Sequence, residues 1–518
     1  MSPVRRAELA AALLVTALAL LLHSDVYHGA GPLWRDEIAA LHIATGPLPA
    51  MPERLQYESF PILSFLAIGG WVGAAGDALV SLRLFGAVIG VLLLIALWIA
   101  ACALGARVPL LSLGMAGVTA AVVRFGDAFR GHGLGCILGV LTLAMLYRTV
   151  TKPSVLTWIG AGVVAMLAVH TTYYAAIVVL AACVAAAVAQ LDRGNKRGAI
   201  AAIGVGAIAA LTLLAYVPVF RAAGRWNDLT RFDVGPAWVW SRLYQTLALS
   251  GSVAATLWVL LFVIAIAVAV VLLVMRVTGE RRTALLFCST ALAILGVGFF
   301  AFFLALRYLM QPWYFIVFIT CSAVLIDAIV AHALEPSGAW ALARAAAAIA
   351  LAFVALNDTR ELLAQRATQM DSLVARLTKE LGPNDLIIVY PWSIGVSFAH
   401  YYHGATAWET LPPIDDHSVH RLDLVKEDVN DPSREAAQRE RVAKTLAAGG
   451  RIWYVGYPPY IERTAFRGRK GAIVDADNRW SAAFSETVRN GAQHSLVLVE
   501  PDGNVIRHER AVVIGFAK

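Results

Sequence analysis

The run Leu33-Trp34-Arg35-Asp36-Glu37-Ile38-Ala39-Ala40-Leu41-His42 places two adjacent carboxylates just after the first membrane-length apolar segment of the chain. A chain this hydrophobic has little reason to keep acids at a membrane edge unless they transfer protons or hold a cation. Other groups capable of chemistry fall in similar places. The loop Arg124-Phe125-Gly126-Asp127-Ala128-Phe129-Arg130-Gly131-His132-Gly133 carries an acid, a cation and an imidazole; His170-Thr171-Thr172-Tyr173-Tyr174 forms a tight polar turn; Arg307-Tyr308 ends a late apolar run.

The elements that must position these groups are membrane spans. Of 518 residues, 59% are hydrophobic and only 15% charged, which excludes an ordinary soluble domain. Mean hydropathy is +0.69. Apolar segments lie near residues 7–22, 80–104, 110–123, 134–147, 155–169, 175–189, 199–219, 254–274, 284–306, 313–330 and 340–356, about eleven spans. The first follows Arg5-Arg6 without a small-residue cleavage site and reads as a retained anchor. The net charge of +7 does not point to nucleic acid, because Lys and Arg sit mostly in short clusters between apolar segments and in the tail, where they act as topology signals.

Residues 61–76 decide the orientation. If that stretch lies along the interface as a juxtamembrane helix, Arg107, Arg148/Lys152, 193–197 and Arg276/Arg281/Arg282 share the side of Arg5-Arg6, and the positive-inside rule holds at every cytoplasmic loop. If it spans, all four clusters face outward. The first topology is therefore expected. It puts Asp36-Glu37, the Asp127 loop, the His170 turn, the loop 220–252 and Arg307-Tyr308 together on the outer face of a bacterial cytoplasmic membrane.

Composition changes at about residue 357, dividing a membrane domain (1–357) from a soluble tail (358–518). Residues 385–390, 451–455 and 495–499 suit buried strands, and 361–381 and 435–448 have helical patterns, so the tail is expected to be an extracytoplasmic α/β domain. All five cysteines lie in predicted spans, and neither a disulfide framework nor a metal-ligand spacing is present. There is no internal repeat, Walker loop or dinucleotide fingerprint.

A first span, an outer loop opening with Asp36-Glu37, an amphipathic juxtamembrane stretch, Ser81-Leu82-Arg83-Leu84-Phe85-Gly86, the Gly-Asp-x-x-Arg of 126–130 and the late Arg307-Tyr308-Leu309 resemble the GT-C superfamily of glycosyltransferases. The likeness is to the bacterial branch related to protein O-mannosyltransferases and lipid A aminoarabinose transferases, over roughly residues 7–334. The resemblance implies inverting transfer of a sugar from a polyprenyl-phosphate lipid to an extracytoplasmic lipid, glycan or protein. It maps the first acid, a general base on the acceptor hydroxyl, onto Asp36. It also implies no metal and no cofactor beyond the lipid donor, since relatives using lipid monophosphates generally need none. The segment Gln56-Tyr57-Glu58-Ser59-Phe60-Pro61 departs from the aminoarabinose transferases by lacking their Lys-Pro-Pro, so phosphate contacts must come from elsewhere.

The chemistry of the residues agrees. A sugar hydroxyl is a weak nucleophile, and a carboxylate taking its proton in the transition state accelerates attack by roughly 10²–10⁴-fold. Asp36 suits that role and Glu37 that of an orienter of the acceptor or of a basic neighbour; alternatively Asp36 caps the helix and Glu37 complements its dipole. Arg307 is the first choice for the departing phosphate, with Tyr308 beside it, against the alternative of an interfacial anchor. Arg130 and His132 are the second choice. Asp127 is open to three roles: holding Arg130, placing the acceptor, or joining Asp36 around a divalent ion. His170 with Tyr173 and Tyr174 either contacts a sugar or forms part of an aromatic belt, the latter favoured. Trp226, Trp238 and Trp240 cover the site or lie on headgroups, and His400, Tyr401 and Tyr402 are acceptor contacts without a specified role. A transporter or lipid flippase would need ionisable groups near mid-span, and a membrane-anchored sensor would leave Asp36, Asp127 and Arg307 without work.

Overall fold

The computed structural model describes residues 2–333, 338–429, 431–457 and 472–518. All eleven expected apolar segments are helical, and among the described residues nine helices are long and apolar enough to cross a membrane. The chain is a multi-pass helical membrane protein with a small C-terminal sheet.

Two of the eleven segments differ from a plain span. Leu110–Ser112, a π turn over Leu113–Gly117 and Ala120–Gly126 form a broken helix, interrupted at Val118 and Thr119 and buried almost throughout. Unpaired backbone groups at such a break are tolerable only inside protein. The second is Val155–Val169, of 15 residues. It packs against His132–Thr151, and its end lies beside the loop that carries Asp127 and Arg130: the Ser64 hydroxyl donates to the Thr171 carbonyl at 2.8 Å, beside Gly131.

Ile62–Ala75 has 14 residues, about 21 Å of helix against a hydrocarbon core of about 30 Å. Its first turn is tied to the end of Val155–Val169, since Leu63 N–H donates to the His170 carbonyl at 3.0 Å. Its last turns are tied to the start of Leu79–Ala103, where the Trp71 indole donates to the Ser81 carbonyl at 3.0 Å. Both ends thus sit at one end of the bundle, as expected for a helix that lies along the surface.

The helix Gly338–Leu363 runs past the composition change at 357, and 364–369 breaks the expected helix 361–381 before Met370–Leu377 begins. Beyond it lie five strands: β1 (Leu386–Tyr390), β2 (Trp408–Thr410), β3 (Ile452–Gly456), β4 (His494–Val499) and β5 (Val512–Ala517), in the order β2-β1-β3-β5-β4. β1 is parallel to β2 and β3, and β5 is antiparallel to β3 and β4. The apolar runs read as strands are β1, β3 and β4; β2 and β5 escaped the sequence. β1 and β3 are buried on both faces, Met370–Leu377 and Gly395–Tyr401 covering one and Pro432–Ala447 and Ala472–Gly491 the other. Continuous apolar strands require this double cover.

Topology aims this domain. From β1 the chain goes first to β2 on one side and then to β3 on the other, so the carboxyl ends of β1 and β3 form the crevice where parallel sheets place binding groups. That edge abuts the helix Arg35–Thr45: the Arg35 guanidinium donates to the Tyr457 hydroxyl just beyond β3, at 3.4 Å, and to the His508 carbonyl just before β5, at 2.7 Å.

Candidate functional site

Asp36 and Glu37 occupy the first turn of Arg35–Thr45 and point to different partners. Glu37 is 1% exposed and fully engaged: Arg83 grips it at 2.7 and 3.0 Å, Phe129 N–H donates at 2.8 Å, and Trp34 N–H donates at 3.3 Å. The helix cap therefore falls to Glu37 rather than Asp36. Arg83 also donates to the Gly31 and Pro32 carbonyls, each at 2.8 Å, so this pair fastens the helix start to Leu79–Ala103.

Asp36 is left for other work. Oδ2 lies 3.2 Å from Arg130 Nη1, Oδ1 lies 3.1 Å from His420 Nε2, and Arg35 Nε stands 3.7 Å from Oδ1. Its side chain retains 15% exposure, so solvent reaches it. Arg130 also binds Glu58 at 2.6 Å and stacks on Phe60 at 4.9 Å. Two carboxylates thus share one guanidinium and are pushed in opposite directions. Burial alone would raise Asp36, but Arg130, His420 and Arg35 outweigh it and hold it well below the usual carboxylate range. For Glu58 burial prevails over Arg130 and His420, and its carboxyl is raised. Tyr308 joins this cluster, its ring 6.2 Å from that of Tyr314; burial, then the charges of Asp36 and Glu58, pushes its hydroxyl up to about 12.

The remaining candidates spread outward from this centre. His132 is buried against Phe60, ring centroids 4.6 Å apart, with Nδ1 3.0 Å from the Tyr174 hydroxyl. Asp127 is also buried, but its partner is His23 at 2.7 Å, not Arg130. Its loop presses on Gly86 and Gly90, where a Cβ would lie 1.9 Å from the Asp127 carbonyl oxygen and 2.3 Å from His23 Nδ1, so neither position accepts a larger residue without rearrangement. His170 bonds Tyr216 at 2.8 Å and Thr212 at 3.0 Å, joining helix ends. Arg307 caps Gly279–Leu306 in the left-handed region, φ 51°, its side chain exposed and without a hydrogen bond or ion pair among the described residues. Among the described residues no group of three or more His, Cys, Asp or Glu stands together as metal ligands.

Glu58, His420 and Arg35 were not singled out from sequence. Glu58 stands in the very segment that lacks Lys-Pro-Pro, and an acid just ahead of an apolar helix was a legible signal. His420 gave none: it lies in the loop after β2, a strand only three residues long.

No family model matches this chain, and no curated protein matches it. Solved structures do. The apo crystal structure of ArnT from Cupriavidus metallidurans superposes with a TM-score of 0.53 at 12% identity, covering 97% of this chain and 97% of that one. The apo oligosaccharyltransferase of Archaeoglobus fulgidus gives 0.53 at 12% identity over 86% of this chain and 69% of that one. The same enzyme tethered to an acceptor peptide containing the NVT sequon gives 0.52 at 12%, over 94% and 72%. Both are GT-C glycosyltransferases, and the likeness at this identity is one of fold. The GT-C fold expected from the sequence is the fold of this chain.

Proposed function

We propose that this protein is an inverting glycosyltransferase that moves a sugar from a polyprenyl-phosphate donor to an acceptor on the outer face of the bacterial cytoplasmic membrane. The observation that carries the reading is Asp36: a solvent-reachable carboxylate at the surface end of a GT-C bundle, kept ionised by Arg130, Arg35 and His420. Ionised, it draws a proton off an acceptor hydroxyl; attack on the anomeric carbon from the face opposite the phosphate then inverts configuration and releases polyprenyl phosphate.

The leaving phosphate needs a fixed cation. Arg307 suits it, because among the described residues its guanidinium has no hydrogen-bond or ion-pair partner, at a point where a long apolar helix ends and a lipid headgroup would lie. Glu37 with Arg83, and Asp127 with His23, hold the surrounding backbone. His132 and Tyr308 pack beside the Asp36 and Arg130 cluster. The outward orientation rests on loop charge together with the surface-lying Ile62–Ala75 helix, and the domain from about 358 onward covers the site.

A transporter reading has one feature in its favour, since Asp327 and Arg344 are buried within spans. Yet Arg344 also contacts Glu8 and the carbonyls of Ala106 and Val108, near helix ends, where it fastens segments together. The test is mass spectrometry of envelope glycolipids, glycans and glycoproteins from strains with and without the gene. A species heavier by one sugar should vanish on deletion and return on complementation. Identical envelopes would refute the proposal.

A further inference from the structure

We propose that a small cavity beside the start of the Arg35–Thr45 helix binds one monovalent anion of halide size, held by Arg124 where the membrane domain meets the C-terminal domain. The site is separate from the Asp36 cluster and is independent of the transfer reaction. Arg124 lies in the last turn of Ala120–Gly126 and is 5% exposed. Its Nη1 and Nη2 are both buried without a hydrogen-bond partner among the described residues. It stands on the wall of a cavity of about 20 Å³, whose other walls include Trp34, Glu37, Arg83, Ala367 and Ile506.

A guanidinium keeps its proton, so its burial has to be met by acceptors. The charged groups around Arg124 are Arg83, Glu37 and Asp127, and each is committed elsewhere. Arg83 and Glu37 neutralise one another at 2.7 and 3.0 Å, and the Phe129 and Trp34 N–H groups take the Glu37 oxygens as well. Asp127 turns Oδ2 to His23 at 2.7 Å, while Oδ1 lies against Gly90, where a Cβ would come within 2.6 Å of it. Gly90 does not border the cavity. Neither acid gives Arg124 an oxygen, and two donors of one rigid fork are left for the cavity's occupant. Size narrows the choice, since holding a water takes about 10–15 Å³. The space here admits one water or one monatomic ion and excludes phosphate, sulfate and sugars. A water would accept both hydrogen bonds but bring no charge; a halide accepts both and also balances the buried cation.

The position gives the ion work to do. Ala367 N–H donates to the Ala30 carbonyl at 2.7 Å and Ile506 N–H to the Arg366 carbonyl at 3.0 Å, so two segments of the C-terminal domain close over the cavity just past the end of the first span. On the opposite wall, Trp34 and Glu37 flank Arg35 and Asp36 in sequence, and Arg124 precedes the loop that carries Arg130. An anion bound here braces the seam between the two domains and the backbone on which Asp36 and Arg130 are mounted.

Thermal unfolding of the purified full-length protein tests this, with sodium chloride or bromide titrated against sodium gluconate at constant ionic strength. Chloride and bromide should raise the midpoint by about 2–4 °C and saturate, as a ligand of the folded state does. Gluconate and sulfate, too large for the cavity, should not. Arg124→Gln should lose the halide response, whereas Arg307→Ala, which removes an exposed cation, should keep it. A midpoint indifferent to halide in the wild type, or the full response in Arg124→Gln, would overturn the proposal. The second measurement needs no variant. Crystals of the wild-type protein grown in bromide should give an anomalous peak within hydrogen-bonding reach of Arg124 Nη1 and Nη2. No anomalous signal there would mean that a water fills the cavity and would equally overturn the proposal; should Arg124→Gln fail to fold, this result decides.

Discussion

Two ionic clusters lie at opposite ends of the helical bundle and are built differently. One surrounds Asp36, where side chains from four separated segments meet and several atoms stay open to solvent. The other surrounds Arg344, which faces Asp327 at 3.5 Å and Glu8 at 3.8 Å and donates to the Ala106 and Val108 carbonyls at 2.9 and 2.8 Å. Asp327 accepts from both the amide and the hydroxyl of Ser112, at 3.1 and 2.8 Å. The Arg344 cluster is sealed, with each charged side chain at most 8% exposed. Burial of charge alone therefore does not mark a site. What separates the two is that the first keeps reachable oxygen and nitrogen atoms while the second spends its own on backbone and neighbours.

The largest expected effect comes from removing the cation that the first cluster shares. Arg130→Ala should cut turnover about 10²–10⁴-fold and, by leaving Asp36 and Glu58 without it, cost about 3–5 kcal/mol of stability. The pH dependence follows from Asp36. Its carboxyl is depressed in the folded protein, so its stabilisation is present above the unfolded carboxylate value and is lost as pH falls through the folded one. Without Arg130 that loss moves to higher pH, and thermal midpoints recorded from pH 3 to 7 should show acid unfolding starting earlier. Identical profiles would break the account of this cluster.

Arg344→Ala sharpens the contrast. It should cost a similar 3–5 kcal/mol, since it strands two buried carboxylates, yet leave turnover per folded molecule near wild type. A specific activity as low as that of the Asp36 cluster variants would show that both clusters serve catalysis.

Arg307→Ala comes next. Loss of a charge-assisted phosphate contact of about 1.5–3 kcal/mol corresponds to roughly ten- to a hundredfold in kcat/KM for the lipid donor. Arg307→Lys should restore only part, because an ammonium cannot hold two phosphate oxygens as a guanidinium does. Full rescue by Lys, which also snorkels, would make Arg307 an anchor. The smallest effect belongs to His170→Phe, which loses its bonds to Tyr216 and Thr212 at about 1 kcal/mol each. Thermal unfolding should register it and transfer assays should not; a large drop in transfer would bring the turn into the site.

Span-length hydrophobicity made the bundle legible, and loop charge kept Ile62–Ala75 out of it. The π turn and break within 110–126 were hidden because burial in protein, not composition, permits them. In the tail, β1 and β3 were legible as doubly buried apolar runs, whereas β2, three residues long, carried too little pattern. Asp36 and Arg130 were chosen separately, and their meeting at 3.2 Å depends on packing that no local pattern encodes. Asp127 was offered Arg130 as one possible partner and instead took His23, because the close approach at Gly86 and Gly90 turns its loop toward the first span. His420 lies 384 residues from Asp36 and reaches it only because the parallel strands aim their carboxyl ends at the membrane body.

The most direct test of the central claim is Asp36→Asn expressed in the deletion strain, with envelope lipids and products quantified together. At normal protein levels and unchanged thermal stability, the account predicts that polyprenyl-phosphate sugar accumulates and the sugar-bearing product disappears. Product at wild-type abundance, with no accumulation of donor, would contradict it.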